Sequence, residues 1–519
     1  MIKNLLAAII FIAVLPLQSE AVINVTDDFE LEGFFKIQNM LRTPRFRDTE
    51  FIMQRNTAQL EGKYYFLKNG KAFKKFSTGP IEEATFTFIG RAVYDSVYDT
   101  RDRFDEPRNP EFTLREAFVD LVLPPFTLRL GRQQVVWGET DNFRALDVIN
   151  PLDVGWHWAR ESWEDIRIPL WMARGIYDIG KIGPFEESFL ELVWIPADFR
   201  RNKTEGDPNR PWGFTGAGLN KVANSVEIDG TLYNLDVNIR DRGPRRKLNH
   251  GQGGARFKAL WGDLDFSLNY FYGYSGDSGY KTRSFTNDGL NWAYSTVDMV
   301  NPRSHVFGLT ANYSEEVYTM AVIRLEATLT TGVPVSISAG APLSVDSNGD
   351  GFDTVKRSVV MLGLDRPTWI RSLNSSRTFF ISTQLFWRRY INYSSYFQGI
   401  PRVYPAIVGG KESSTRFLST NTDQIDRDEF VFTFSASTSY GAAGLFKPLF
   451  VVAYDPISTG GYTQIAFDYL WTDHIVFRVE QHYYWGGSGD DPGPWQLGDI
   501  WGSTDQSRHE TLLSIIFQF

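Results

Sequence analysis

Cysteine is absent from the 519-residue chain. Without it there can be no disulfide bond, no thiolate nucleophile, no cysteine-held zinc or iron–sulfur cluster, no lipidated cysteine and no covalently attached haem. Histidine is scarce too, with six residues. No pairing of a nucleophile with a base shows at the level of the sequence, so we assign no catalytic residues and do not expect an enzyme.

Long apolar runs and an excess of positive charge are also missing. After residue 21 no segment is apolar enough to span a bilayer as a helix, and the mean hydropathy is −0.27. The formal net charge is −9 and the pI is about 5.4. This balance disfavours a nucleic-acid partner, for which a basic surface is expected.

One short apolar run lies at the N-terminus and is typical of a secretory signal. Lys3 supplies a positive charge, residues 5–17 are apolar, and Ser19 and Ala21 supply small residues around a cleavage point. The run is too short for a membrane anchor, which needs about 20 apolar residues. The sequence therefore predicts a signal peptide over residues 1–21 and a single domain over residues 22–519.

Aromatic residues, by contrast, are abundant and make up 15% of the chain. A membrane-spanning β-barrel reconciles this abundance with the low hydropathy. The outward side chains of such a barrel are apolar, its inward ones are polar, and Tyr and Trp gather at the two bilayer interfaces. The hydropathy then averages out along every strand.

Apolar and polar residues alternate along much of the chain, which is the pattern of a β-strand with two different faces. The final segment is a clear case, with one face formed by Thr511, Leu513, Ile515, Phe517 and Phe519. In other segments the polar face is charged. The charged residues that this pattern predicts to face a lumen are Arg324, Glu326, Arg478 and Glu480.

Eighteen segments show this alternation and predict an all-β fold: a transmembrane antiparallel β-barrel of eighteen strands, with sixteen as the alternative. The strands are expected to begin near residues 29, 49, 81, 111, 126, 167, 186, 251, 263, 303, 317, 355, 377, 428, 448, 461, 474 and 509. Short connections such as Pro124-Pro125 alternate with long ones such as residues 198–250, as expected for periplasmic turns and extracellular loops. The stretch 69–80 is long for a periplasmic turn and fits this register least well.

The chain stops on Phe519, and this ending resembles the closing strand of Gram-negative outer-membrane barrels. The resemblance implies that Phe519 is an assembly signal read by the barrel assembly machinery. It also implies that the protein lies in the outer membrane of a Gram-negative cell, in contact with outer-membrane lipid.

Residues 128–180 differ from the rest of the chain in carrying several compact motifs. These are Gly131-Arg132-Gln133, Trp137-Gly138-Glu139, Asn150-Pro151-Leu152-Asp153 and Arg167-Ile168-Pro169, with Arg115-Glu116-Ala117-Phe118 upstream. The block resembles a family of Gram-negative, porin-like outer-membrane β-barrel proteins known only as a domain of unknown function. Such proteins are often genetically associated with inner-membrane exporters of hydrophobic molecules. The resemblance therefore implies an exporter as a partner.

One long connection in this block, residues 137–166, is rich in charge and tryptophan. We expect it to fold into the barrel and narrow it, because loops of this length are usually functional or disordered. The alternative is a rigid corner that seals the neighbouring strands. The candidate constriction residues are Trp137, Glu139, Asp141, Arg144, Asp147, Asp153, His157 and Arg160.

A second motif, Asp346, Asn348 and Asp350, resembles the first half of an EF-hand calcium loop, with oxygen ligands at alternate positions. The closing acidic ligand is missing, because Arg357 occupies its position. The motif therefore predicts either a calcium site that orders an extracellular loop or a solvated turn. No other cofactor is expected.

Together these patterns favour an outer-membrane channel, with hydrophobic or amphipathic cargo implied by the family resemblance. The alternative is a structural barrel that holds a periplasmic or surface partner and carries no flux of its own.

Overall fold

The computed structural model describes most of the chain. The described residues are 22–43, 49–69, 71–72, 76–77, 79–101, 108–141, 143–153, 155, 162–203, 225–228, 230–338, 340–399, 403–408, 411–418, 424–457, 460–485 and 509–519. The predicted signal peptide lies outside these residues and stays a prediction. No helix within the described ranges is both long and apolar enough to cross a membrane.

Eighteen strands form one closed antiparallel barrel. In chain order they are β1 Phe29–Arg42, β2 Glu50–Lys68, β3 Glu83–Asp95, β4 Glu111–Leu123, β5 Phe126–Gln133, β6 Leu170–Asp178, β7 Glu187–Ile195, β8 Gln252–Trp261, β9 Leu264–Tyr274, β10 Arg303–Glu315, β11 Ala321–Ile337, β12 Phe352–Thr368, β13 Phe379–Tyr390, β14 Asp428–Ser437, β15 Phe446–Asp455, β16 Gly460–Thr472, β17 Ile475–Trp485 and β18 Glu510–Gln518.

Each strand pairs with its neighbours in the chain, and β18 pairs with β1 to close the barrel from Phe34 opposite Gln518 to Arg42 opposite Glu510. Closure leaves the barrel without an edge strand. Phe519 continues this seam, because its backbone N–H and C=O both bond to Gly33 at 3.0 and 2.8 Å. The prediction of eighteen strands is confirmed, and the alternative of sixteen is wrong.

The two faces of the strands divide as the alternation predicts. On β9 the outward Leu268 is 53% exposed, while the next residue, Asn269, is 6% exposed and faces the interior. The same division places Arg324, Glu326, Arg478 and Glu480 on the inner face, where Arg324 and Arg478 pair with carboxylates of the neighbouring strands. An apolar outer face and a polar inner face are the signature of a membrane-spanning barrel.

The connections are short at one end of the barrel and mostly long at the other, and we call these the turn end and the loop end. The predicted weak point, residues 69–80, lies at the turn end, where Lys71–Ala72 and Phe76–Ser77 add two short strands beside β2. The stretch is therefore a small hairpin and not an additional transmembrane strand. At the loop end, the connection between β15 and β16, residues 456–459, is an exception because it is short.

Smaller elements decorate the barrel. Ile23–Thr26 pairs with β1, and Phe397–Gln398 pairs with β11. Beyond the loop end lie a four-stranded sheet, formed by Ser225–Ile228, Thr231–Asp241, Gly279–Asn287 and Trp292–Val300, and a two-stranded sheet, formed by Val403–Val408 and Lys411–Leu418. The described residues also form three short helices: Val97–Thr100 and Leu248–His250 in other loop-end connections, and Trp163–Ile166 in the connection between β5 and β6.

Candidate functional site: a loop folded into the barrel

The connection between β5 and β6, residues 134–169, leaves the wall and folds inward; we call it the crossing loop. The sequence predicts that the flanking strands end at Val136 and resume at Arg167, but the regular strands end earlier, at Gln133, and resume later, at Leu170. The stems, residues 134–136 and 167–169, therefore lie outside the regular strand ladder. The loop is therefore longer at both ends than the predicted 137–166.

Asn150 joins the two stems of the crossing loop. Its buried side chain accepts a hydrogen bond from the backbone N–H of Val135 at 2.8 Å and donates one to the carbonyl of Ile168 at 2.9 Å. A single amide thus satisfies backbone groups of both stems, which would otherwise be buried without a partner. These two bonds explain why the Asn-Pro-Leu-Asp motif begins with an asparagine.

The first part of the loop packs on the inner face of β6–β10. The buried cluster comprises Val135, Trp137, Leu146, Ile149, Leu170, Met172, Val193, Ile195, Phe271 and Val306. Trp137 is 1% exposed and meets Phe271 edge to face, with the ring centroids 6.4 Å apart. An apolar cluster of this kind is unusual in a barrel interior, which is normally polar.

Two glycines in the wall make room for this packing. A Cβ on Gly254 would stand 2.7 Å from the Trp137 ring, and one on Gly308 would stand 2.1 Å from a methyl of Leu146. Neither distance is tolerated by real side chains, so the wall is shaped to receive the loop. A third glycine, Gly138, belongs to the loop itself. A Cβ on Gly138 would stand 2.8 Å from the backbone nitrogen of Asp147, so glycine allows the two segments to approach closely.

Glu326 holds the loop from the wall of β11. Its fully buried carboxylate accepts the backbone N–H of Glu139 at 2.7 Å and that of Leu146. Hydrogen bonds from amides to a carboxylate are charge-assisted and stronger than neutral ones. The predicted lumen residue Glu326 therefore anchors the loop, and it does so through main-chain groups that no sequence motif shows.

Asp147 organises the charges inside the loop. Arg167 donates to its carboxylate at 2.7 Å, and Arg144 stands 3.4 Å from the same oxygen. Arg144 also donates to the carbonyl of Asn150 at 2.8 Å. The first residue of the Arg-Ile-Pro motif thus pairs with the loop body, and two of the predicted constriction residues, Arg144 and Asp147, lie in one cluster with Arg167.

The tip of the loop reaches the charged wall of β8–β13. Glu139 accepts a hydrogen bond from Asn312 and stands 3.5 Å from the ammonium group of Lys258. Asp141 accepts from Arg324 at 2.6 Å and from Gln384 at 2.8 Å. Arg324 is three positions from the turn end of its strand, so the tip descends almost the full depth of the barrel.

Phe143 carries the tip across to the far side of the barrel. It packs edge to face on Phe386, with the centroids 5.6 Å apart. The buried cluster around it is formed by Met361, Phe386, Val431, Val451, Ala453, Tyr462 and Tyr484, from strands β12–β17. The loop starts at β5 and β6, so contact with β12–β17 means that it crosses the lumen.

The returning arm is fixed to the wall of β1–β4. Asp165 pairs with Arg91 at 2.5 Å and with Lys36 at 3.8 Å. Arg115 occupies a β-bulge of β4 and donates to the carbonyls of Glu164 and Arg167 at 2.6 and 2.8 Å. Bulges re-aim a side chain, which here turns a strand arginine toward the loop.

The two arms also touch each other, because the indole N–H of Trp163 donates to the carbonyl of Asp141 at 2.5 Å. The indole partner expected for a loop tryptophan is therefore a backbone group of the tip. Trp163 begins the short helix Trp163–Ile166, which Ser162 caps by accepting the N–H of Asp165. The loop is thus braced internally as well as against three parts of the wall.

Near the loop end, Asp153 ties the crossing loop to two other segments. It accepts from Arg108 and from Lys203, both at 2.8 Å. Burial alone would raise the pKa of Asp153, but the Arg108 and Lys203 cations outweigh burial and hold this pKa below its usual value. Asp153 is therefore a rim anchor that stays charged.

Not every predicted site residue joins this arrangement. Arg478 pairs with Asp468 at 2.6 Å, and Glu480 accepts from Gln464 at 2.7 Å, so both belong to the lumen wall and have no described contact with the loop. His157 and Arg160 lie outside the described residues. Conversely, Phe143 and Asn150 are central to the loop but were not among the sequence candidates.

Water reaches the lumen beside the tip. The side chain of Asp141 is 51% exposed although it lies deep in the barrel, and that of Arg478 is 41% exposed. Glu326, two residues from Arg324 on the same strand, is fully buried under the loop. The loop therefore covers one part of the cross-section and leaves solvent-accessible charged side chains in another.

The predicted calcium residues form a turn at the loop end of β12. Asp346 accepts the backbone N–H groups of Asp350 and Gly351 at 3.2 and 2.9 Å, and Asp350 stands 3.7 Å from Lys281. Within the described ranges no group of three or more His, Asp or Glu side chains is arranged to hold a metal ion. Calcium binding at Asp346, Asn348 and Asp350 stays a prediction.

The family described as "Protein of unknown function (DUF1302)" matches residues 74–460 of the chain. The chain belongs to this family. The DUF1302 match spans β3–β15 and the whole crossing loop, so the loop and most of its wall contacts lie inside the matched region, whereas Lys36, Tyr462 and Tyr484 lie outside it. No curated protein matches the chain.

Solved outer-membrane proteins share the general shape of this DUF1302 barrel at very low identity. OccAB1 of Acinetobacter baumannii is 9% identical with a TM-score of 0.45, over 97% of this chain and 99% of that one. OmpF of Salmonella typhi, solved in complex with daunomycin, is 9% identical with a TM-score of 0.38, over 96% and 100% of the two chains. At these scores the likeness carries no argument, and the fold rests on the strand pairing of the chain itself.

Proposed function

We propose that this protein is a channel of the Gram-negative outer membrane whose lumen is narrowed by the crossing loop. The turn end would face the periplasm and the loop end the cell exterior, as in other barrels of this kind. The barrel provides the path through the membrane, and the loop selects what passes. No catalytic step is proposed.

One observation carries this proposal: the Asp141 carboxylate is held by Arg324 and Gln384 deep in the barrel, yet half of it is exposed to water. A loop whose only role was to seal the strands would bury its charges against the wall. Here a charged tip borders a solvent-accessible path lined by further charges, such as Arg478. That is the expected geometry of a constriction.

The inner surface also supports an amphipathic cargo. Charged side chains line the path near Asp141, whereas the apolar cluster around Trp137 and Met172 is buried between the crossing loop and strands β6–β10. A molecule with one polar and one apolar part would find the charged surface in the open path, and apolar surface where the loop moves away from the cluster. An inner-membrane exporter of hydrophobic molecules is the partner that the family resemblance suggests, and it would deliver such cargo to the turn end.

Single-channel conductance in planar bilayers tests the constriction. The double variant Arg324→Gln/Gln384→Ala removes the side chains that hold Asp141. We expect discrete current steps from the wild-type protein and larger steps from this variant, because a released tip obstructs less of the lumen. The heat-modifiable folded band in gel electrophoresis would show that the barrel itself is intact.

Arg478→Gln is the matched control, since Arg478 is also an inward arginine that pairs with a wall carboxylate but has no described contact with the loop. It should alter conductance less than the double variant. If the double variant and the control gave the same steps, the loop would not be the constriction. A folded wild-type barrel without any current steps would favour the alternative, a structural barrel without flux.

A further inference from the structure

The strands of the barrel wall are short where the crossing loop leaves it. Strand β5 has 8 residues and β6 and β7 have 9 each, whereas β2 has 19 and β11 and β12 have 17 each. A tilted strand needs about 9–11 residues to cross the hydrocarbon layer. The regular wall at β5 therefore falls short at the loop end, and the loop stems take its place.

The short β5 does not extend along the whole of its neighbour. Strand β4 pairs with β5 only from Ala117 to Leu123, although its pairing with β3 continues to Glu111. In the described part of the chain, residues 112–116 thus pair with β3 but not with β5. Unpaired backbone groups at membrane depth are tolerated only where they are buried in protein or line a water-filled cavity.

Side chains close this seam between residues 112–116 and the stem residues 134–136. Gln134 lies beside Glu116, whose carboxylate faces the backbone and side-chain amides of Gln134. Gln134 also donates to the carbonyl of Glu164 at 3.2 Å. These contacts can break one at a time, whereas a strand ladder opens only cooperatively.

Apolar surface lies on both sides of the seam. On the outside, Phe112 is 65% exposed, Leu114 45%, Val136 41% and Trp171 48%. Directly behind it stands the buried cluster that contains Val135, Trp137, Leu170 and Met172, with Val135 adjoining the outward Val136. An acyl chain that passed the seam and displaced the polar contact between Gln134 and Glu164 would therefore meet apolar side chains on the lipid side and in the cluster behind it.

We propose that the seam between β4 and residues 134–136 is a lateral opening for an amphipathic molecule with an acyl chain, moving between the outer leaflet and the lumen. This inference rests on the proposed channel function and adds a route and a substrate class to it. The stems of the crossing loop are then both the frame of the constriction and the gate in the wall.

A photoreactive lipid tests the opening directly. The protein is reconstituted in phosphatidylcholine vesicles that contain phosphatidylcholine with a diazirine in its acyl chain, and labelled residues are mapped by mass spectrometry after illumination. We expect label on interior residues behind the seam, such as Ile149 and Met172, in addition to the outer face. Val451, which is interior on the far wall, should remain unlabelled.

Because the chain has no cysteine, the seam can be locked specifically. In Leu114→Cys/Val136→Cys a flexible bismaleimide would join the two sides, and the interior label should then be lost. The matched control is Leu268→Cys/Leu309→Cys, which crosslinks an outward pair directly opposed on β9 and β10. This control should keep the interior label. Gln134→Ala, which removes a closing side chain, should increase it.

Label confined to outward residues such as Leu268, or interior label that survives the crosslink, would overturn the lateral opening. The conductance of the same preparations separates this result from the channel proposal. The locked seam should leave the current steps of the axial path unchanged. Absent steps with interior label present would overturn the channel, while steps without interior label would overturn only the lateral route.

Discussion

Two of the wall regions that the crossing loop touches differ in chemistry. On β6–β10 the loop packs Trp137 and Leu146 into a buried apolar cluster, over glycines that leave space for them. On β11–β13 Asp141 of its tip meets Arg324 and Gln384 through polar contacts and remains half exposed. The difference indicates a fixed base and, at Asp141, a releasable tip: close packing holds the base, whereas water competes for the bonds of Asp141. Phe143, two residues further on, is held by apolar packing on Phe386.

The largest expected effect concerns the fixed base. Trp137→Ala removes a fully buried indole, and such truncations cost about 3–5 kcal/mol. We expect a drop of that order in the free energy of unfolding, measured by guanidinium titration in detergent, together with larger current steps. Trp194→Ala is the control, because Trp194 is 56% exposed on the outer face. Equal losses in both variants would mean that Trp137 has no special part in holding the loop.

The second largest effect is expected where the apolar wall fits the loop closely. Gly308→Leu places a side chain where Leu146 lies, and overpacking of this kind typically costs about 1–3 kcal/mol. We expect the loop to be displaced, with faster proteolysis between residues 141 and 163. Gly175→Leu is matched to it, since a Cβ at Gly175 meets nothing within 4 Å. Proteolysis that stayed slow in Gly308→Leu would contradict the close fit of loop and wall.

A smaller effect is expected at the rim, where Asp153→Asn should cost about 1 kcal/mol, as for a partly buried ion pair. The pKa of Asp153 is lowered in the folded protein, so its stabilisation is present above the ordinary carboxyl value of about 4 and is lost as the pH falls through the lowered pKa. The stability difference between wild type and Asp153→Asn should thus be constant near neutral pH and vanish in acid. A difference that instead grew on acidification would exclude this role.

At the releasable tip, Asp141→Asn should hardly change the free energy of unfolding, because exposed ion pairs contribute less than about 1 kcal/mol. Its effect should appear in conductance, since a neutral tip binds Arg324 less tightly and changes the charge of the path. Measuring both quantities on one preparation sharpens the comparison. If Asp141→Asn lowered the free energy of unfolding without changing the current, the tip would be as firmly fixed as the base and would not be releasable.

The smallest effect on stability is expected at the C-terminus, which touches neither wall. Phe519 adds two backbone bonds to Gly33 at the end of the seam. If it is an assembly signal, deleting it should lower the yield of the heat-modifiable species in outer membranes while the purified barrel unfolds as before. An unchanged yield would argue against that role, and Thr511→Ala on the same face serves as a control.

The local sequence pattern was sufficient to predict the strands. A period of two assigns each side chain to one face of the sheet without knowledge of the neighbouring strands. It was misleading at the stems, where Val135 and Val136 alternate like a strand but the backbone has already left the ladder. The Asn-Pro-Leu-Asp motif marked the place of Asn150 without revealing its bonds. Phe143 gave no signal, since one phenylalanine among 40 has nothing local to distinguish it.

The sequence by itself determined the barrel, favoured eighteen strands over sixteen, assigned the side chains of the strands to two faces and marked an unusual block between β5 and β6. The tertiary structure decided what that block meets. Glu139 and Glu326 are 187 residues apart and come together only after the barrel closes. Closure sets the diameter of the lumen and the opposite wall, and these long-range distances, not the local period, determine where a loop can cross and what can hold it there.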